Sequence, residues 1–267
     1  MRECPWQAGP LRTQHRVSTE VPYSAGVSEP RSTILAASGG YAPTRPWEDI
    51  AFSPIFKYAL ELTGASAPKV GFLTTGVGDD STVQVQLGRS ATALGCRPTL
   101  FSVFPRLHPN DAHQQLMDQD LIWVHGGSVS NILALWRAYK IDVTLQAALA
   151  SGVVLAGTSA GSLCWHVGGV TKSFGPEPRL FDNGLALVPY GNDVHTTSEP
   201  ERKAVMLAAI RSGSLPMSYT TEDGVALIYE SGLLVEAVAE RPHAFATCIE
   251  SASGEVLEHR ISPRLLS

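Results

Sequence analysis

The chain has 267 residues, 44% of them hydrophobic and 17% charged, with 20 Lys and Arg against 25 Asp and Glu. So low a charged share excludes disorder through charge repulsion for most of the chain, and a mildly acidic balance without a basic run argues against nonspecific nucleic-acid binding. No apolar stretch reaches the ~18 residues a membrane span needs, and residues 1–32 lack the apolar centre of a signal peptide. The cysteines Cys4, Cys96, Cys164 and Cys248 lie far apart with no CxxC pair, so they read as reduced thiols of a cytoplasmic protein, with no metal site.

Residues 1–32 are rich in Pro, Ser and charge and carry no period; they read as an N-terminal extension ahead of one domain at 33–267. STILAAS at 32–38 is a short apolar run ending at Gly39-Gly40, which suits a buried strand and a tight turn. Residues 47–64 then look helical, KVGFLTT (69–75) is a strand, and 81–94 is a helix closed by Gly95. RPTLFSVF (97–104) is a strand, 108–117 a short helix, and DLIWVH (120–125) a strand stopped by Gly126-Gly127. Residues 130–140 and 142–151 are helices, and GVVLA (152–156) is a strand running into GTSAGS. This alternation predicts an α/β three-layer sandwich: a mostly parallel sheet with helices on both faces. Beyond Gly175 the pattern changes, and 185–195 and 224–238 look like hairpin additions, with Ser231-Gly232 as a turn. Ligands of such sheets bind outside the carboxyl ends of the strands, so the site is expected where Gly39-Gly40, Gly126-Gly127 and 157–161 converge.

Gly157-Thr158-Ser159-Ala160-Gly161 has the form G-x-S-x-G, directly after a buried apolar strand and before a helix-compatible run, SLCWHVGG. That is the context of a nucleophile elbow: a sharp strand-to-helix turn projects the serine oxygen, and small neighbours let the backbone close. A serine nucleophile needs a base. His166 is placed down the same predicted helix, away from Ser159, whereas His195 lies 36 residues beyond Ser159 in the polar loop after LALVP. His125-Gly126-Gly127-Ser128 ends another strand, and exposed N–H groups at such a turn can face a reacting carbonyl. Each of these has an ordinary reading when taken alone: a capped turn, a surface histidine, a βα loop.

Taken together, ILAASGGY, WVHGGSVSNILALW, GVVLAGTSAGSLCW, GLALVPYGNDVH and EDGVALIYE resemble, in that order, the peptidase E and cyanophycinase group of serine peptidases. The resemblance covers roughly 32–250. It implies a fold similar to class I glutamine amidotransferases, with Ser159 as nucleophile and His195 as base. The N–H groups of Gly126 or Gly127 and of Ala160 would form the oxyanion hole, and Asn131 and Arg202 would contact substrate. One departure stands out. Where the family tends to carry an acid between nucleophile and histidine, this chain has Thr171-Lys172-Ser173. A lysine cannot accept the histidine Nδ1–H. Glu177 or Asp182, in the same segment, is the expected acid, with Asp193, Glu222 and Asp223 also available.

The implied activity is hydrolysis of small peptides, with dipeptides bearing an N-terminal aspartate as one substrate, by a cytoplasmic monomer or homodimer needing no metal or organic cofactor. The alternatives are a noncatalytic member that binds a peptide or small ligand, and a related amidase or acyl hydrolase.

Overall fold

The computed structural model describes residues 32–45, 48–104, 109–252 and 254–267. The N-terminal extension, apart from Ser32, lies outside the described residues, as do Cys4, His15 and His108.

The first half builds one large sheet. Its strands are β1 (Thr33–Ala37), β4 (Lys69–Leu73), β5 (Arg97–Phe101), β6 (Leu121–Val124) and β7 (Val154–Thr158), with a short ribbon of β2 (Tyr41–Ala42) and β3 (Ala51–Phe52) beside it. Five helices connect them: α1 (Pro54–Glu61), α2 (Ser81–Ala93), α3 (Pro109–Met117), α4 (Val129–Tyr139) and α5 (Ile141–Ala150). Local chemistry starts two of these. Asp80 Oδ1 accepts from the N–H groups of Thr82 and Val83 at 2.9 and 3.0 Å, and Ser128 Oγ accepts from Asn131 N–H at 3.2 Å. Each satisfies donors that a first helical turn leaves without partners.

After β7 come α6 (Ala160–Leu163), β8 (His166–Thr171), β9 (Arg179–Phe181), β10 (Val188–Asp193), α7 (Arg202–Arg211), β11 (Ser218–Thr221), β12 (Val225–Glu230), β13 (Leu233–Ala239), β14 (Ala246–Ala252), β15 (Glu255–Ile261) and β16 (Arg264–Leu265). The large sheet has the order β16-β13-β12-β1-β7-β6-β4-β5, parallel from β1 to β5. A second, six-stranded sheet has the order β15-β14-β11-β10-β8-β9.

Strand alternation divides the core. Leu35 and Ala37 of β1 pack on one face with Ile55, Phe56 and Ala59 of α1 and Leu87 of α2. Ile34 and Ala36 point to the other face, with Ile132 and Trp136 of α4, Leu145 of α5, and Phe181, Val188 and Tyr219 of the second sheet. Helices thus cover both faces, and the smaller sheet shares one of them.

Two sequence expectations are corrected. The run after Ser159 is one helical turn, not a long helix: α6 ends at Leu163 and His166 opens strand β8. The reason is close packing of Gly168 and Gly169, where a Cβ would stand 2.4 Å from Phe181 O and 2.0 Å from Asn192 O. His166 is consequently buried, its Nδ1 3.0 Å from Ser162 O and its Nε2 3.3 Å from Tyr229 Oη. Residues 185–195 do not form a hairpin either: β10 runs parallel to both β8 and β11. The 224–238 hairpin is present, with Ser231 and Gly232 both at positive φ (50° and 80°), the twist a two-residue hairpin turn requires.

Candidate active site

Ser159 sits at the end of β7 with φ 57° and ψ −119°, a conformation costly for a residue with a Cβ. The turn closes only because its neighbours are small. A Cβ on Gly157 would stand 2.3 Å from Gly161 O, and one on Gly161 would stand 2.3 Å from Val124 O. Ser159 N–H donates to Ala37 O at 2.9 Å, which fixes the turn to the end of β1.

The same strand end receives two further segments. His195 N–H donates to Ser38 Oγ at 3.2 Å, and Gly224 N–H donates to Ser38 O at 2.9 Å. Residues 37 and 38 therefore anchor the backbones at Ser159, at His195 and beside Asp223. His195 also has positive φ, 62°, so both residues singled out for chemistry hold unusual backbone conformations.

The partner of His195 is Asp223: Nδ1 lies 2.6 Å from Asp223 Oδ1, and the other carboxylate oxygen accepts from Ser198 N–H at 3.0 Å. Topology explains the meeting. β10 and β11 are adjacent and parallel, with Asp193 paired to Thr220, so the loops that carry His195 and Asp223 leave the sheet side by side. Burial works to raise the Asp223 carboxyl, but the hydrogen bonds from His195 and Ser198 outweigh it and hold the group below its usual range.

Neither Glu177 nor Asp182 occupies this position; both are exposed on the segment around β9. The Lys172 segment is turned elsewhere too. Lys172 Nζ pairs with Glu201 at 2.5 Å and Glu199 at 3.3 Å, while Ser173 Oγ accepts from Ser130 N–H at 3.4 Å. The acid at His195 is thus supplied from beyond the histidine in sequence, and Lys172 does not face it. Lys172→Asp is accordingly expected to leave turnover of a good peptide substrate unchanged while placing a third carboxylate beside Glu199 and Glu201. A rate increase of about tenfold in steady-state kinetics would contradict this placement.

Arg202, expected to contact substrate, is instead buried and bonded within the fold. It is 4% exposed, its Nε donates to Asp193 Oδ1 at 2.6 Å, its Nη1 to Glu199 at 2.9 Å and its Nη2 to Val170 O. Burial pushes the Asp193 carboxyl up to about 6, against the opposing pull of Arg202. Removing one member of a buried ion pair leaves the other charge uncompensated, at about 3–5 kcal/mol. Arg202→Ala should therefore lower unfolding stability by that order in a urea titration. It should leave the ratio of rates on acidic and neutral peptides as in the wild type.

Gly126 and Gly127 stand opposite Ser159. A Cβ on Gly126 would lie 3.2 Å from Ser159 Cβ, and Gly127, at φ 119°, is pressed against Gly76, whose O would be 2.3 Å from an added Cβ. Among the described residues the N–H groups of Gly126 and Gly127 have no acceptor, and Ala160, first residue of α6, has none within its helix. Asn131 is exposed on the first turn of α4, and its side chain makes no hydrogen bond among the described residues. Ser159 Oγ and His195 Nε2 likewise make none; catalytic contacts of this kind commonly tighten only with substrate.

A strained serine turn, a carboxylate-held histidine and free amide donors at one strand edge define a hydrolase-like site on an α/β sheet. The chain belongs to peptidase family S51, whose model matches residues 34–235. It is 30% identical over 225 residues to the uncharacterized peptidase YgaJ of Bacillus subtilis (strain 168), covering 84% of this chain and 95% of that one. In fold it is similar to a peptidase from an acI-B1 actinobacterium, with TM-score 0.62, 14% identity, and 88% of this chain and 96% of that one covered. It is also similar to a Listeria monocytogenes EGD-e protein assigned to peptidase E, with TM-score 0.56, 14% identity, and 87% and 100% covered. The motif resemblance to peptidase E thus holds at the level of the family. Among the described residues no helix is long and apolar enough to cross a membrane.

Proposed function

We propose that the protein is a cytoplasmic serine peptidase that hydrolyses small peptides through an acyl-enzyme on Ser159. The observation carrying this reading is the 2.6 Å contact between His195 Nδ1 and Asp223, beside a serine turn anchored to the same strand end. With Nδ1–H donated to Asp223, Nε2 is left as the base.

In the proposed sequence Ser159 Oγ attacks the scissile carbonyl and its proton passes to His195 Nε2. Asp223 keeps the tautomer fixed and stabilises the imidazolium. The oxyanion is met by the N–H groups of Gly126 or Gly127 and of Ala160. His195 then protonates the leaving amine, and water, activated by the same nitrogen, hydrolyses the ester. Dipeptides with an N-terminal aspartate remain one candidate substrate, with Asn131 as a substrate contact; Arg202, being fully engaged, lends that specificity no support.

A fluorophosphonate probe tests the reading. Wild-type protein should be labelled at Ser159 and Ser159→Ala should not. Equal labelling of the two, or none in the wild type together with no turnover of a dipeptide panel, would exclude it.

A further inference from the structure

A second histidine flanks Ser159. The large sheet places β7 between β1 and β6. Tyr41, just after the Gly39-Gly40 turn that follows β1, and His125, just after β6, are joined across the end of β7 by a 2.7 Å contact between Tyr41 Oη and His125 Nδ1. Ser159 follows β7 directly, and Gly126, next to His125, is the residue that faces its Cβ. Tyr41 packs with the α1 and α2 side of the sheet, whereas Ser38, which follows Ala37 of that side, turns its Oγ the other way, to His195 N–H and Thr221. The two histidines thus approach the serine from opposite faces.

The protonation of His125 follows from its partners. Trp123 Nε1, a donor only, donates to Tyr41 Oη at 2.8 Å. The phenol hydrogen of Tyr41 then goes to His125 Nδ1. The reverse orientation would leave that hydrogen without an acceptor among the described residues, at the cost of an unmade buried bond. Nδ1 is therefore an acceptor and the proton of the neutral ring sits on Nε2. Burial lowers the imidazole to about 4 and raises the Tyr41 phenol, which keeps both neutral across the working range. His125 Nε2 has no partner among the described residues and is not one of the buried atoms lacking one, so it is open to a ligand.

We propose that His125 is a substrate-binding residue whose Nε2–H donates to an acceptor oxygen on the acyl part of the peptide, with Tyr41 as the positioning residue that fixes its tautomer. The inference rests on the serine-peptidase reading. His195 protonates the leaving amine, so that amine lies on the side of His195, and the opposite face belongs to the acyl part. The scissile carbonyl oxygen is taken by the oxyanion donors. What remains for His125 is a side-chain carbonyl or carboxylate on the residue that supplies the scissile carbonyl. A fixed neutral donor favours such an acceptor over an isosteric apolar group, because the site is left unpaired with the latter.

The test compares peptides with asparagine or the isosteric leucine as the residue that supplies the scissile carbonyl. His125→Phe should lower kcat/KM on the asparagine peptide by about tenfold or more and leave the leucine peptide nearly unchanged. His125→Gln, whose amide N–H reaches the position of Nε2, should restore much of the preference. Nitrogen NMR should show His125 protonated at Nε2 in the wild type, and a mixture of tautomers in Tyr41→Phe. Fluorophosphonate labelling of Ser159 should persist in all three variants, since the probe carries no such side chain. Equal losses on the two peptides, or an Nδ1-protonated His125, would overturn the proposal while labelling leaves Ser159 as the nucleophile. A wild-type protein that neither labels nor hydrolyses would remove the underlying reading, and this role with it.

Discussion

Ser159→Ala is expected to lower kcat by about 10⁴–10⁶, and His195→Ala by a similar amount, because nucleophile and base act as one unit and their effects do not add. The double variant should be no worse than either single one. Residual activity should come from the amide donors at Gly126, Gly127 and Ala160 and from substrate binding alone. Thermal stability of Ser159→Ala should stay near that of the wild type, since its side chain is not in the packed interior and alanine leaves the strained backbone as it is, whereas His195→Ala should lose a little because Asp223 is left without its partner. Kinetics on a dipeptide panel, beside a melting curve, read both quantities. Activity within tenfold of wild type in either single variant would remove these residues from the chemistry.

Asp223→Asn carries the second largest expected effect, a fall of about 10⁴ in kcat. Ser198 N–H claims the amide oxygen, so the amide turns its NH2 to the ring, which demands an unprotonated Nδ1 and moves the imidazole proton to Nε2, where the base should be. Glu177→Gln and Asp182→Asn should run at the wild-type rate, since both carboxylates are exposed and away from His195. The substitution should also remove a pH-dependent part of stability. The folded-state carboxyl of Asp223 is held below its ordinary value, so its contribution is present above the ordinary carboxylate range and lost as pH falls through the depressed value. The pair of results is diagnostic: a large loss in Glu177→Gln or Asp182→Asn with none in Asp223→Asn would mean that the 2.6 Å contact does not survive into the reacting complex.

Lys172 and Arg202 show why residue type and segment were insufficient guides. Both are cations, and each is taken up by carboxylates of the stretch around His195: Glu201 and Glu199 for Lys172, Asp193 and Glu199 for Arg202. An arginine that shields a buried aspartate beneath the His195 loop has no guanidinium left for a substrate.

The sequence by itself determined the alternating strands and helices of the first half, the serine turn and the glycine pair, because each is written in a local pattern: apolar runs of strand length, helix caps at Asp80 and Ser128, and small residues where the backbone must close. It also put His195 in a loop fit to meet the serine. Only the tertiary structure decided that His166 starts a strand, that a second six-stranded sheet exists, and that Asp223 rather than Glu177 or Asp182 holds His195. The physical reason is the same in each case. Those features depend on which strands become neighbours. The parallel pairing of β10 with β11 sets Asp223 beside His195 although 28 residues separate them, and the order β1-β7-β6 closes Tyr41 onto His125 across 84. No local period encodes a pairing between segments so far apart.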